Sequence, residues 1–269
     1  MIDTIYIARH GFRMNWINTN WQSATGLPRD PPLASYGEEQ AKELADYFLT
    51  LPQDQRPTLI FSSPYYRCLQ TSAPTAKALS LPLYIEHGIS EWYSPVSPGT
   101  GLHPRPSSAD SLEKYFPGTI DASWSSIYYP PRVGEDVAEV HTRAITFLDA
   151  FIPAVERAYP EHKRVLLVSH AATVIVLARA LLADRKLPLR VGCCSLTEVV
   201  RKPDGKVLGG WEAKRLADGA HLAQGTSRDW GFEDIEVANG KVVDDPGVPG
   251  TEKEIDGPNG VQIPLSSNL

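Results

Sequence analysis

Two apolar runs in this chain each stop at a histidine. Thr4 to Ala8 ends at Arg9-His10-Gly11, and Arg164 to Ser169 ends at His170. A third run, Thr58 to Phe61, leads through Ser62-Ser63-Pro64 to Arg67. A neutral imidazole is a competent nucleophile toward phosphorus. An arginine fork can hold two phosphate oxygens at once. Phosphoryl transfer spreads charge over the equatorial oxygens, so positioning and electrostatic stabilisation carry most of its catalysis. His10 is therefore read as the nucleophile, with Arg9, Arg67 and His170 around the phosphate, and with neither metal nor cofactor required. A leaving alkoxide needs a proton. Glu91, in the run Ile89-Ser90-Glu91-Trp92, is the candidate acid, and burial beside Trp92 and Tyr93 would favour its protonated form. The competing reading makes Glu91 a surface carboxylate and Glu86 or Glu113 the acid.

Such groups converge only if strands and helices place them. Thr4–Ala8, Thr58–Phe61, Leu83–Ile85, Arg164–Ser169 and Leu196–Val200 read as short strands. Arg164–Ser169 is apolar on both faces, as a central parallel strand must be. Helices are expected at Ser35–Leu51, Tyr65–Leu79, Asp136–Ala158 and Ala172–Ala183. Glu38 follows Ser35 at capping-box spacing, and Pro74 should kink or delimit the second helix. The alternation predicts a three-layer α/β/α fold with a mainly parallel central sheet. Ligands in such folds sit beyond the carboxyl ends of the strands, where His10 and His170 fall.

Residues 88–132, rich in Pro, Ser, Gly and Tyr, read as an insertion over one face, and a lid is one role for it. The domain is drawn over residues 1–215. Residues 216–269 form a C-terminal extension, Gly/Pro/Asp-rich toward its end, with a packed or frayed appendage and a protein-contact segment as its two readings.

The 269 residues are 42% hydrophobic and 22% charged, enough for a substantial core. A net charge of −6 disfavours direct nucleic-acid binding and anionic membranes. The three cysteines, Cys68, Cys193 and Cys194, contain no Cys-x-x-Cys pair, so neither a disulfide framework nor a zinc site is expected. No signal peptide or membrane span is read. A soluble cytoplasmic or nuclear protein is the expectation.

Five ordered motifs carry a family resemblance: Arg9-His10-Gly11; PLASYGEEQA from Pro32; SSPYYRCLQTS from Ser62; GEDVAEVHTR from Gly134; and VLLVSHAA from Val165. On these the chain resembles the histidine phosphatase (phosphoglycerate mutase-like) superfamily. The resemblance implies that fold, His10 as phosphate acceptor, Arg9, Arg67 and His170 around the phosphate, and Glu91 as proton donor. Glu91-Trp92-Tyr93 differs from the mutase run Glu-Arg-His-Tyr-Gly, and His170-Ala171 differs from the His-Asp of acid phosphatases. Arg13, in Arg-His-Gly-x-Arg, resembles the protein-tyrosine-phosphatase-like members and is a further phosphate-binding candidate, pairing with an Asp being its alternative. Phosphotyrosine, another phosphoprotein or a small phosphoester is the implied substrate. The chain is also similar to fungal proteins related to the tau subunit of transcription factor IIIC. That likeness gives the rival reading, a non-catalytic module binding a protein partner through its extension. A serine-hydrolase elbow at Ser169 is discounted, because Val168 and Ala171 flank the Ser169-His170 pair where the tight turn needs glycine. Packing or solvated roles are expected for His87, His103, His141, His162 and His221, and a buried structural role for Cys68.

Overall fold

Alternation within the strands divides the interior into two cores. In chain order the elements are β1 (Thr4–Arg9), α1 (Ser35–Thr50), β2 (Leu59–Ser62), α2 (Tyr66–Leu79), β3 (Leu83–Ile85), α3 (Ala109–Glu113), β4 (Tyr128–Tyr129), α4 (Val137–Ala158), β5 (Arg164–Ser169), α5 (Ala171–Leu182), β6 (Leu196–Arg201), β7 (Trp211–Asp218), the pair β8 (Val237–Ala238) and β9 (Lys241–Val242), and β10 (Gly260–Val261). The structure, a computed structural model, describes residues 1–262 apart from 204, 236, 239, 240, 243 and 244. Ile5, Ile7, Leu59, Phe61, Val165 and Leu167 point to one side, onto α4 and α5. Tyr6, Ala8, Ile60, Leu166 and Val168 point to the other, onto α1 and α2. Burying a side chain of this size contributes roughly 1.5–3 kcal/mol. A strand apolar on both faces needs helices on both, and the expected three layers result.

The central sheet runs β3-β2-β5-β1-β6-β7. The first four strands are parallel, and β6 and β7 are antiparallel additions at one edge. β1 and β5 are neighbours with Arg9 opposite Ser169, so His10 and His170 leave the sheet at the same level. On the far side of β5, Ser62 stands opposite Val168 and carries the chain toward α2.

Local details refine the expectation. The capping box at Ser35 and Glu38 does not form: Ala34 is the N-cap, Ser35 is already helical, and Glu38 accepts from Gln70 Nε2 at 3.4 Å. A box does open α4, where Asp136 and Glu139 exchange side-chain-to-backbone bonds of 2.7 Å. Pro74 lies inside α2 without ending it. The final sheet strand, Trp211–Asp218, crosses the boundary drawn after residue 215.

Beyond β7 the chain returns over the carboxyl ends of the strands. Trp230 bridges to Val191, Asp245 to Val96 and Val248 to Leu102, while β10 pairs with β4. The extension is thus woven into the insertion and into the loop before β6; residues 263–269 lie outside the described residues. Part of the insertion packs at the β3 edge, where Ile120 bridges to Leu83. Its first residues, Glu91 to Ser94, line the cavity described next.

Candidate active site

A cavity of about 600 Å³ opens beyond the carboxyl ends of β1, β2 and β5. Arg9, His10, Arg13, Arg67 and Glu91 line it, and His170 lies beside them, its ring centroid 5.4 Å from that of His10. The sequence-derived residues therefore meet in one place. His10 is buried, and its Nδ1 lies 2.8 Å from the Gly11 carbonyl oxygen. A carbonyl only accepts, so Nδ1 carries the proton and Nε2 keeps its lone pair. Burial, then the charges of Arg67 and Arg9, hold His10 well below the usual imidazole range. It is neutral at pH 7, as a nucleophile must be.

The loop holding His10 is fixed by the other motifs. Gly11 N donates to Thr71 Oγ1 at 3.0 Å, Phe12 N to Gln40 Oε1 at 3.0 Å, and Leu33 N to Gln70 Oε1 at 2.8 Å. The backbones of this loop and α1 approach so closely that a Cβ on Gly11 would lie 2.6 Å from Gly37 O. Glycine is needed there for space, since no larger residue fits without moving backbone.

Arg67 is buried with its fork shared. Nη1 donates to Asp30 Oδ1 at 2.9 Å, and Nη2 reaches Glu91 Oε2 and His170 Nδ1, each at 3.1 Å. Arg67 has only donors, so His170 Nδ1 accepts and Nε2 carries the proton, donated to Ser63 Oγ at 2.8 Å. Burial lowers the His170 pKa to about 4. Arg9 Nη1 donates to Val191 O at 2.6 Å and to Arg228 O at 2.5 Å, fixing its fork from both the β6 loop and the extension. Arg13 does line the cavity; its guanidinium lies 4.3 Å from the Trp16 ring centroid, and burial lowers its pKa to about 10. The Nε atoms of Arg9, Arg13 and Arg67 are buried without a partner.

Glu91 overturns one expectation. Its Oε2 lies 3.3 Å from His170 Nδ1 and within reach of Arg67. Burial alone would raise its pKa, but the positive charges facing it, His170 when protonated and then Arg67 and Arg13, hold it well below the usual carboxylate range. Glu91 is ionised here, and burial beside Trp92 and Tyr93 does not protonate it. Those two rings line the cavity with partners of their own: Trp92 Nε1 donates to Glu135 O at 2.7 Å, and Tyr93 stacks on His103 at 4.5 Å. The GEDVAEVHTR motif sets the approach to Glu91. Arg143, paired with Glu135 at 3.0 Å, donates to Ser90 O at 3.1 Å, and Thr173 Oγ1 donates to the same oxygen at 2.8 Å.

The alternatives resolve in place. Glu86 is buried and accepts from Gly88, Ile127, Tyr128 and Trp124, away from the cavity. Ser169 Oγ donates to Ile89 O at 2.7 Å, which occupies the hydroxyl of the discounted elbow. Cys68 is buried and burial pushes its thiol far up. His87, His103, His141 and His221 bond to backbone carbonyls. Among the aromatics, Trp21, Trp92 and Tyr93 line the cavity, whereas Tyr66 packs on Tyr115 and Phe116. Sequence reading missed Asp30, the orienting role of Ser63, and Trp230, Asp234 and Asp245 of the extension. Only Ser63 had a signal, its place in the Ser-Ser-Pro motif.

One group of possible metal ligands lies here: donor atoms of His10, Glu91 and His170 fall within 4.8 Å of one another. Four arginines, Arg9, Arg13, Arg29 and Arg67, line the same space. Their charge opposes a cation and suits an anion.

The family described as the histidine phosphatase superfamily (branch 1) matches residues 5–214. Transcription factor tau 55 kDa subunit of Saccharomyces cerevisiae is 41% identical over 215 residues, covering 75% of this chain and 48% of that protein. The chain thus spans about half the length of that relative. Probable phosphoglycerate mutase GpmB of Proteus mirabilis is 26% identical over 226 residues, covering 81% and 94%. Among solved structures, ecdysone phosphate phosphatase from Bombix mori in complex with tungstate superposes with a TM-score of 0.60 at 17% identity, covering 80% and 93%. A phosphoserine phosphatase mutant from Entamoeba histolytica in complex with phosphoserine gives 0.51 at 18%, covering 81% and 98%. At these identities the solved structures share the fold. With the five motifs building or supporting one cavity and the family match running from β1 to β7, the chain belongs to the histidine phosphatase superfamily, branch 1.

Proposed function

We propose that this chain hydrolyses phosphomonoesters through a phosphohistidine formed on His10 Nε2, without a metal. The observation that carries the reading is the His10 Nδ1–Gly11 O bond, which leaves Nε2 unprotonated beside three arginines and His170. The Nε2 lone pair forms the new bond to phosphorus as the ester P–O bond breaks. Arg9, Arg13 and Arg67 balance the charge on the equatorial oxygens, and His170 borders them, ready to add its charge if the arriving dianion draws a proton onto Nδ1. Water then attacks the phosphohistidine and releases inorganic phosphate.

Glu91 fits the proton-transfer role in a coupled form. The guanidiniums of Arg67 and Arg13 face it and favour its ionised form in the free protein. An arriving phosphate dianion competes for those partners, and burial then favours the protonated acid. Binding thereby draws a proton onto Glu91, which passes to the leaving oxygen and is regained from the attacking water. The aromatic lining from Trp21, Trp92, Tyr93 and Trp230 is compatible with phosphotyrosine as well as with a small phosphoester.

The test is hydrolysis of p-nitrophenyl phosphate with EDTA present, comparing the native chain with His10→Ala. Turnover and a trapped phosphohistidine should both be lost in the variant. Labelling that persists in it removes His10 from the role.

The second reading rests on the relative named as a transcription factor subunit. In it the fold is an interaction module of a transcription-related assembly, contacted through the extension, and the location is nuclear. A folded native chain inactive in the same assay, and retained on a partner, would select it. Among the described residues no helix is long and apolar enough to cross a membrane.

A further inference from the structure

Arg29 and Asp30 are adjacent in sequence and face opposite ways. Asp30 points inward: Oδ1 accepts from Arg67 Nη1 at 2.9 Å, and Oδ2 accepts from Tyr66 N, at the start of α2, at 2.8 Å. Both side chains of the Asp30–Arg67 pair are 1% exposed. One carboxylate thus holds both the helix bearing Arg67 and one arm of its guanidinium. Arg29 turns the other way, toward the extension, where it lines the cavity together with Asp245: its two terminal nitrogens pair with Asp245 at 2.6 and 2.7 Å, and Nη2 also donates to Gly247 O at 2.8 Å. Arg29 has φ +61°, a conformation that residues other than glycine rarely adopt. The surroundings impose it.

We infer that Asp30 is the positioning residue that sets Arg67 for the phosphoryl group, and that the Arg29–Asp245 latch makes this setting depend on the docked C-terminal segment. The inference rests on the phosphate-binding reading of the cavity. Arg67 stands between two carboxylates, and Glu91 Oε2 is already 3.1 Å from its other arm. With Asp30 holding Nη1, only Nη2 can turn to Glu91. Without Asp30, both arms are available to Glu91, and the arginine is drawn into a fork on that carboxylate and away from the ligand. The backbone also links the two ends, since Arg67 Nη1 lies 3.4 Å from Arg29 O. Releasing Asp245 frees a turn that carries both of these acceptors.

Charge alone predicts the opposite sign. Deleting the Asp30 charge makes the cavity more positive, which favours an anion. Positioning predicts weaker binding, because displacing a binding group by about 1 Å can cost on the order of 100-fold.

The experiment is titration calorimetry of inorganic phosphate with the full chain, its Asp30→Asn and Asp245→Asn variants and their double variant, each checked for native circular dichroism. Asp30→Asn should weaken phosphate about tenfold or more. Asp245→Asn should weaken it about threefold in the native background and leave it unchanged in the Asp30→Asn background, the signature of a shared path. Phosphate bound as tightly or more tightly by Asp30→Asn overturns the positioning. Equal losses from Asp245→Asn in both backgrounds overturn the latch. If Asp30→Asn does not fold, unchanged affinity in Asp245→Asn overturns the latch alone. A native chain that binds no phosphate overturns the functional reading itself, which keeps the two failures distinct.

Discussion

Ser63 Oγ lies 2.8 Å from His170 Nε2 and turns that imidazole so that Nδ1 faces Arg67 and Glu91. The hydroxyl is buried and belongs to the loop after β2, so it reaches across from a different strand to set the ring.

Ser63→Ala removes the acceptor for the His170 Nε2 proton. The ring can then turn, or carry its proton on Nδ1 against Arg67. We expect kcat toward p-nitrophenyl phosphate to fall about tenfold, near the low end for a general acid–base or orienting group, with little change in thermal midpoint. Steady-state kinetics beside a melting curve checks this, and unchanged kcat would mean that Arg67 and packing alone hold the ring.

Glu91→Gln should discriminate between leaving groups. Good leaving groups depart without protonation, whereas alkyl phosphates need the proton. The variant should lose about 100-fold or more on an alkyl ester and far less on p-nitrophenyl phosphate. Equal losses on both would place the proton elsewhere.

Acid should destabilise the fold in two stages. Burial lowers His87 and His170 to about 4 from 6.5 and also holds His10 well below 6.5. A histidine with a lowered pKa contributes stability that is complete above its unfolded value and is lost as pH falls through the folded one. Stability should therefore drop between pH 6.5 and 4. Glu91, also lowered, adds a loss below its unfolded value of 4.5. Urea midpoints measured across this range should decline steadily, and His87→Gln should flatten the slope. A flat profile would show that these imidazoles titrate normally.

Ending the chain before Ser227 should impair catalysis as well as any partner binding. Cys193 N donates to Ser227 O at 2.8 Å, Arg9 holds Arg228 O, and Trp230 lines the cavity. A loss of about tenfold or more in kcat/KM is expected from misplacing Arg9 alone. Full activity in the shortened chain would make the extension separable.

The sequence was most legible where one physical constraint acts along the chain. Arg164–Ser169 had to be a central strand because nothing else buries both faces of a short apolar run. The ends of such strands then located His10 and His170. Contacts through space left no such trace. Asp30 sits between arginine and proline and reads as a turn residue, yet its partner is 37 positions away. Glu91 shows the same limit in its charge: the two residues after it in the chain are aromatic, but those facing it are Arg67 and His170, from two other elements. The two residues flanking position 215 belong to one strand, because hydrogen bonding to β6 ignores the composition change that follows.

The ladder between β1 and β5 has one more consequence. It runs without a bulge from Thr4 opposite Arg164 to Arg9 opposite Ser169, and both histidines leave it one step later. The separation of the imidazoles is therefore set by the spacing of adjacent strands, about 4.8 Å, as a ruler sets a gap. Widening it means shearing or parting the innermost pair of the sheet, the last region to open in a folded domain. Loops can alter what enters the cavity, but the distance between its two rings is inherited from the core and fails only when the core does.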